Sequence, residues 1–328
     1  MNMDELKGKG LLIHHWDTDG ICSAKLLLEK LGEKIVTNRT PILGNYFLTP
    51  EELEKCKGFD FIIIADMSLP EDNIQQLNRQ AENVLIFDHH LGPEIKTVFH
   101  HNPVIKGENP DEYPSASWIV NDYLKNPVNL FAILGIIGDH EQKIKNNPKF
   151  WRIIQDFCSE NNLTFEDLHK MVYLLDSNYK KGDKKAVEKA PYTLLEIQKP
   201  TEILENSEWN KNYNMIEEEI NRQLDDTGIT FDQTILKKMN SQFNIISTVT
   251  RKLAWNTQKN TIVVNTGFFD DLDQLYVRTT KKNMEPMIKR GKELGFKCGG
   301  KKEVLGAIIP KNKTDSFLEE VKNFFMEE

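Results

Sequence analysis

The chain has 328 residues, 39% of them hydrophobic and 28% charged, enough for one large domain or two ordinary ones with real cores, which excludes a fibre or a disordered tail. No apolar run approaches the roughly 18 residues needed to span a bilayer, and the N-terminal MNMDELKGKG lacks the basic-then-apolar pattern of a secretory signal, so a cytoplasmic protein is expected. A net charge of -8 argues against coating nucleic acid over the whole surface but not against a local basic groove.

In chain order, the first 140 residues alternate short apolar runs with amphipathic stretches, the pattern of strands buried between helices in a parallel sheet. Gly10–His14 is expected as a strand, Ile21–Leu31 as a helix, Phe61–Ala65 as a strand, Pro70 to about Gln80 as a helix and Val84–Phe87 as a strand. Ser115–Leu124 looks helical, whereas the apolar run Leu130–Ile137 fits either strand or helix. From about Lys143 to Asn240 the amphipathic stretches lengthen and predict mainly helix. Beyond it, Phe243–Thr250, Thr261–Asn265 and Leu275–Thr280 alternate like strands, while Asn283–Leu294 and Asp315–Phe325 have helical spacing. The fold class expected is α/β, an N-terminal parallel sheet with flanking helices plus a smaller C-terminal α/β domain. We divide the chain into an N-terminal domain (residues 1–190), a helical linker (191–235) and a C-terminal domain (236–328). Residues 276–313 hold 11 Lys or Arg against three acids, a local +8 that leaves -16 for the rest. Four separated cysteines without a CxxC pair read as small buried hydrophobes.

The chemistry lies just after the apolar runs. His14-His15-Trp16-Asp17-Thr18-Asp19-Gly20 comes after the first, Asp66 after the second, Asp88-His89-His90 after the third and Gly138-Asp139-His140 after the fourth. Seven of the eight histidines fall between residues 14 and 140. Taken singly, a lone Asp such as Asp66 after a strand is more often a helix N-cap than a ligand, and His100-His101 reads as a surface turn. Taken together, Asp17, Asp19, Asp66, Asp88 and Asp139 would bring up to five negative charges to one sheet edge. Two cations would resolve that repulsion. Oxygen and imidazole ligands without thiolates suit Mn²⁺ above all, with Mg²⁺, Co²⁺ or Zn²⁺ as alternatives.

These motifs resemble the DHH phosphoesterase superfamily. His15-x-Asp17-x-Asp19-Gly20, with Ser23 beyond it, is similar to the first family motif, Asp66 to the second, Asp88-His89-His90 to the third and Gly138-Asp139 to the fourth. Asn102-Pro103 and the Ser115-Ala116-Ser117 helix start fall where family members place similar residues. The resemblance implies a two-Mn²⁺ site with Asp66 bridging, Asp17 on one metal, and Asp19, His89 and Asp139 completing the two sets of ligands, with His15 a further ligand. It also implies that His90 contacts the scissile phosphate while Asp88 either orients the imidazoles or joins the coordination. In the branches acting on short oligonucleotides, cyclic dinucleotides or pyrophosphate, the first histidine precedes the first Asp by four positions, here Ile13; the spacing of two looks like the RecJ branch. As cleft ligands, Asp19 and His89 are expected to be dispensable for folding.

Cys298-Gly299-Gly300-Lys301 resembles the glycine-rich turn of the DHH-associated domain, with Lys301 in place of its histidine, and Arg278 resembles the arginine on the preceding strand. Arg278, Gly299, Gly300 and Lys301 are thus the expected substrate-binding residues. The leading expectation is a RecJ-like, single-strand-specific exonuclease that hydrolyses DNA or RNA phosphodiester bonds with a metal-activated water, of the kind that serves DNA repair. The alternative is a phosphodiesterase of short oligonucleotides or cyclic dinucleotides such as cyclic di-AMP. A pyrophosphatase and a non-catalytic replication scaffold are weaker alternatives. The expected partner is single-stranded nucleic acid or a short oligonucleotide; a replication or repair protein and a second copy of the chain stay open, and no membrane is expected.

Overall fold

Gly10–His14 (β1) and Phe61–Ala65 (β3) are buried at every position, because a parallel strand covered on both faces needs a continuous apolar run rather than alternation. In this computed structural model, which describes residues 3–326, they lie side by side at the centre of a five-stranded sheet with all pairings parallel. Between and after them come α1 (Thr18–Leu31), β2 (Ile35–Arg39), α2 (Pro50–Glu54), α3 (Glu71–Gln80), β4 (Asn83–Phe87), β5 (Phe99–His101), α4 (Ala116–Tyr123) and α5 (Leu130–His140). The strand order is β2-β1-β3-β4-β5. The chain therefore leaves β1 in one direction and arrives at β3 on the other side, which opens a crevice at the carboxyl ends of these two strands.

The run Leu130–Ile137 is helical. Asn129 caps it by accepting hydrogen bonds from the N–H groups of Phe131 and Ala132, and the helix is buried nearly all round against α1 and α4, which erases any polar face from its sequence. His100 and His101 lie on β5, not in a surface turn; His101 packs among the rings of Phe87, Phe99 and Tyr123. The short, half-buried β2 and β5 carried no apolar run long enough to predict them.

Helices α6 (Pro148–Asn161), α7 (Phe165–Lys180), α8 (Lys184–Glu196), α9 (Thr201–Glu205) and α10 (Ser207–Leu224) come next. The chain then forms β6 (Ile229–Phe231), β7 (Thr234–Met239), α11 (Ile246–Thr257), β8 (Asn260–Asn265), β9 (Leu272–Arg278), α12 (Glu285–Glu293), β10 (Lys297–Lys301), β11 (Val304–Pro310) and α13 (Lys311–Met326). These strands make a second sheet in the order β10-β11-β9-β8-β7-β6, antiparallel except between β7 and β8. The helical reading of residues 143–240 thus ends at Leu224, before β6 and β7. Phe243–Thr250, expected as a strand, instead opens α11: Ile246, Val249 and Leu253 recur at helical spacing on a buried face, and Thr250 returns its hydroxyl to the Ile246 carbonyl. The chain forms two compact units, one reaching to Tyr179 and taking in Asp183–Asn210, the other made of Lys180–Gly182 and the chain from Lys211 onward. Among the described residues no helix is long and apolar enough to cross a membrane.

Candidate metal centre

The loop after β1 places three of the expected residues. Asp17 is the N-cap of α1, accepting from the Gly20 N–H at 3.2 Å. Thr18 between the two aspartates is locked by Asp176 of α7, whose carboxylate accepts from the Thr18 N–H at 3.0 Å and from its hydroxyl at 2.7 Å. Asp19 is fully buried and accepts from the N–H groups of Ala116 and Ser117 at 2.7 and 2.9 Å, so its charge sits on the positive end of α4. Asp19 is therefore not the dispensable cleft side chain expected from the sequence: it holds α4 to α1. His14 points away, fully buried, donating from Nδ1 to the His15 carbonyl at 2.6 Å. Burial pushes its pKa down to about 4, so it stays neutral.

Asp66 is not a helix cap. The next helix begins at Glu71 behind Pro70, and Asp66 itself has φ 59°, the left-handed region that costs a non-glycine residue roughly 1 kcal/mol or more. Its N–H is fixed to the Phe87 carbonyl at 2.8 Å, and its side chain is 2% exposed. The two carboxylate oxygens face opposite ways: Oδ2 lies 3.5 Å from His15 Nδ1, and Oδ1 lies 3.5 Å from His89 Nε2. On the first side Asp17 Oδ2 is 2.8 Å from His15 Nδ1. On the second, His89 Nε2 is 3.1 Å from Asp139 Oδ2 and 3.9 Å from Asp19 Oδ2.

Two groups with metal-ligand chemistry result, His15, Asp17 and Asp66 in one, Asp19, His89 and Asp139 in the other, each within ligand reach of a common point. A third grouping joins Asp66, His89 and His90. A divalent cation fits these donors: both ring nitrogens of His15 and Nε2 of His89 are buried without a well-aligned hydrogen bond, a costly arrangement that coordination would relieve. Asp139 arrives at the end of helix α5 rather than from a strand.

Asp88 is set apart from the groups of ligands. It is buried, and its Oδ1 accepts from the N–H groups of His89 and His90 and from His90 Nδ1 at 2.7 Å. Asn102, also buried, donates to the His90 carbonyl at 2.9 Å. The His90 ring is thereby oriented with Nδ1 committed to Asp88, and the side chain is 47% exposed. Burial opposes a charge on His90, but the Asp88 carboxylate outweighs it and raises the pKa.

The same balance governs the ligands. Burial disfavours charge on His15 and His89, yet Asp17 and Asp66 around the first, and Asp139 and Asp66 around the second, hold both pKa values well above the usual histidine range. Burial first, then the Asp66 charge, pushes Asp19 up to about 7. Without metal His15 and His89 carry protons at neutral pH, and a cation must expel them. Apparent Mn²⁺ affinity is therefore expected to rise with pH through 7 and above. Titration calorimetry at pH 7 in buffers of different protonation enthalpy should register release of about two protons per protein; no release would contradict the assignment of His15 and His89.

Residues 10–148 match the DHH family, N-terminal domain. This part of the chain belongs to the DHH family. No curated protein matches the chain in sequence. Among solved structures, the exonuclease RecJ bound to manganese is similar over 98% of this chain and 90% of that one, with 15% identity and a TM-score of 0.66. RecJ in complex with Mn²⁺ from Thermus thermophilus is similar over 96% of this chain and 52% of its own, with 16% identity and a TM-score of 0.66. The pGpG-specific phosphodiesterase PggH from Vibrio cholerae is similar over 95% and 97%, with 15% identity and a TM-score of 0.52. At these identities the likeness is one of fold, and it covers the DHH domain and the second unit alike. A DHH-family phosphoesterase with a candidate metal site is what the motifs, the fold and the geometry agree on.

The residues expected to bind substrate lie in the second unit. Gly299, Gly300 and Lys301 form strand β10 rather than a turn; the turn is Lys302-Glu303, closing a hairpin to β11. Gly300, at φ 147°, has to be glycine, since a Cβ there would overlap the Val304 carbonyl oxygen. Arg278 ends β9 opposite Val304. The four cysteines are free, and only Cys298 is not fully buried. Sequence reasoning missed Asp176, whose one signal, a carboxylate on an amphipathic helix, is shared by most surface helices.

Proposed function

We propose that the protein is a phosphodiesterase working with two divalent cations, Mn²⁺ foremost, and that its substrate is single-stranded DNA or RNA trimmed from one end. The observation that carries this reading is Asp66: a buried carboxylate in a strained backbone conformation, at the β1/β3 crevice, with one oxygen toward each group of ligands. Strain of this kind persists where the surroundings require a side chain in one place.

In this reading His15, Asp17 and Asp66 hold one cation, and Asp66, Asp19, His89 and Asp139 the other. When bound, such cations would offset the charge of a phosphodiester and supply an activated water near neutral pH. The chain's own residues supply the rest. His90, protonated through Asp88, offers its exposed edge to a phosphate oxygen as charge develops there. Asp88 and Asn102 fix that ring, and the amides of α4 keep Asp19 in register. Arg278 and Lys301 bind phosphate in the second unit. The two-residue spacing of His15 and Asp17 and the lysine-rich 276–313 segment favour a strand over a dinucleotide.

The test is hydrolysis with Mn²⁺ at low salt, comparing 5′-labelled and 3′-labelled single strands of about 30 nucleotides with a dinucleotide and cyclic di-AMP. Stepwise loss from one labelled end is expected. Turnover confined to the dinucleotides would replace the exonuclease with a short-substrate phosphodiesterase, and no turnover with metal bound would refute the enzyme.

A further inference from the structure

The sheet of the second unit has one covered and one half-open face. Ile262, Val264, Leu275, Val277, Leu305, Ala307 and Ile309 point to a single apolar cluster shared with Met284 and Met287 beside α12 and with Phe317, Leu318 and Val321 of α13. On the other face Val263 packs with Ile246, Val249 and Leu253 of α11, with Tyr276 alongside. Side chains alternate along a strand and directly opposed residues share a face. Because Val263 pairs with Tyr276, Tyr276 with Gly306 and Gly306 with Gly299, the α11 face also carries Arg278, Val304, Ile308, Lys297, Gly299 and Lys301.

Helix α11 lies mainly over β8 and β9 on that face. Val304, Gly306 and Ile308 are left half-buried, and Lys297, Gly299 and Lys301 are exposed. The floor is flat: a Cβ on Gly299 would meet nothing within 4 Å, and Gly306 lies against the Tyr276 ring. One side of this shallow bay ends in Trp255 of α11, 50% exposed. Its indole has the Arg251 guanidinium 5.3 Å and the Arg278 guanidinium 5.8 Å from the ring centre. Register places Lys301 opposite Val304 and Val304 opposite Arg278, two strand spacings or about 10 Å apart. No carboxylate pairs with Arg278 or Lys301 among the described residues.

An exposed indole can stack on a flat partner, and Arg278 and Lys301, with no carboxylate beside them among the described residues, can take anions. A nucleotide is both at once, a planar base tethered to a phosphate. We propose that Trp255 is a base-stacking platform, on which a base of a single strand lies while Arg278 and Lys301 hold phosphates of the same strand. This deepens the nucleic-acid reading above and rests on it.

The test uses the full chain without divalent metal, so that binding is read apart from hydrolysis. Fluorescence anisotropy compares a labelled octathymidylate with an abasic phosphodiester of equal length. The wild type is expected to prefer the base-bearing strand about tenfold, Trp255→Ala to lose that preference, and Trp255→Tyr to recover most of it. Trp255 is half-exposed, so the variants should fold, and unchanged far-UV circular dichroism checks that they do. Equal binding of the two probes by the wild type, no binding of either, or an undiminished preference in Trp255→Ala would each overturn the platform. Adding Mn²⁺ to the same wild-type complex separates the two readings. Base preference without hydrolysis refutes the phosphodiesterase and keeps the platform, while hydrolysis without base preference does the reverse.

Discussion

Asp66→Gly is expected to abolish hydrolysis while leaving the metal-free chain folded. Glycine adopts φ near 59° without the penalty an aspartate meets there, so roughly 1 kcal/mol of local strain is relieved. In the metal-free protein the same change removes both repulsion by Asp19 and attraction to the protonated His15 and His89, which oppose one another. What is lost is the one side chain that faces both groups of ligands. Turnover should fall on the order of a thousandfold or more, and bound Mn²⁺ should drop with it. Thermal unfolding in a chelator, metal binding and rate measured on one preparation give the check. A stable, metal-poor, inactive protein is the expected result; wild-type turnover, or a variant that unfolds, would contradict the account of Asp66.

Gly135→Ala should damage both the packing of α5 and the group of ligands around Asp19. In an ordinary helix interior this substitution gains about 1 kcal/mol. Here the new Cβ would overlap the Ser117 hydroxyl and a carboxylate oxygen of Asp19. Both are pinned, Asp19 by the Ala116 and Ser117 amides and Ser117 by its contact with Ser115 at 3.1 Å, so neither yields cheaply. Overpacking costs toward the upper end of about 1–3 kcal/mol should outweigh the helix gain, and Asp19 must leave its place in the group with His89 and Asp139. The variant is expected to melt several degrees lower and to bind Mn²⁺ weakly. A raised melting temperature with undiminished metal affinity would show that Gly135 is not packed against the site as described.

Much of the DHH domain was legible in the sequence because its chemistry is local. The apolar runs Gly10–His14, Phe61–Ala65 and Val84–Phe87 are strands, and the acids and histidines just beyond β1, β3 and β4 meet at one sheet edge. The features that failed to show were set by neighbours distant in sequence. Leu130–Ile137 reads equally as strand or helix until α1 and α4 are seen to bury it. Phe243–Thr250 alternates by composition, but its tertiary face recurs every three or four residues. Asp19 could be chosen as a ligand candidate, yet its hold on α4 comes from amides about a hundred positions away. The clamp of Asp176 on Thr18 spans 158 positions. Trp255 carried no signal at all, since only the register of β8 to β11 puts it beside Arg278 and the open glycine floor.

The most direct measurement of the central claim is a crystal of the full chain soaked with Mn²⁺ and examined by anomalous scattering. Two peaks are expected about 3.5–4 Å apart, one held by His15 and Asp17, the other by Asp19, His89 and Asp139, with Asp66 between them. A single peak, or two peaks away from Asp66, would contradict it.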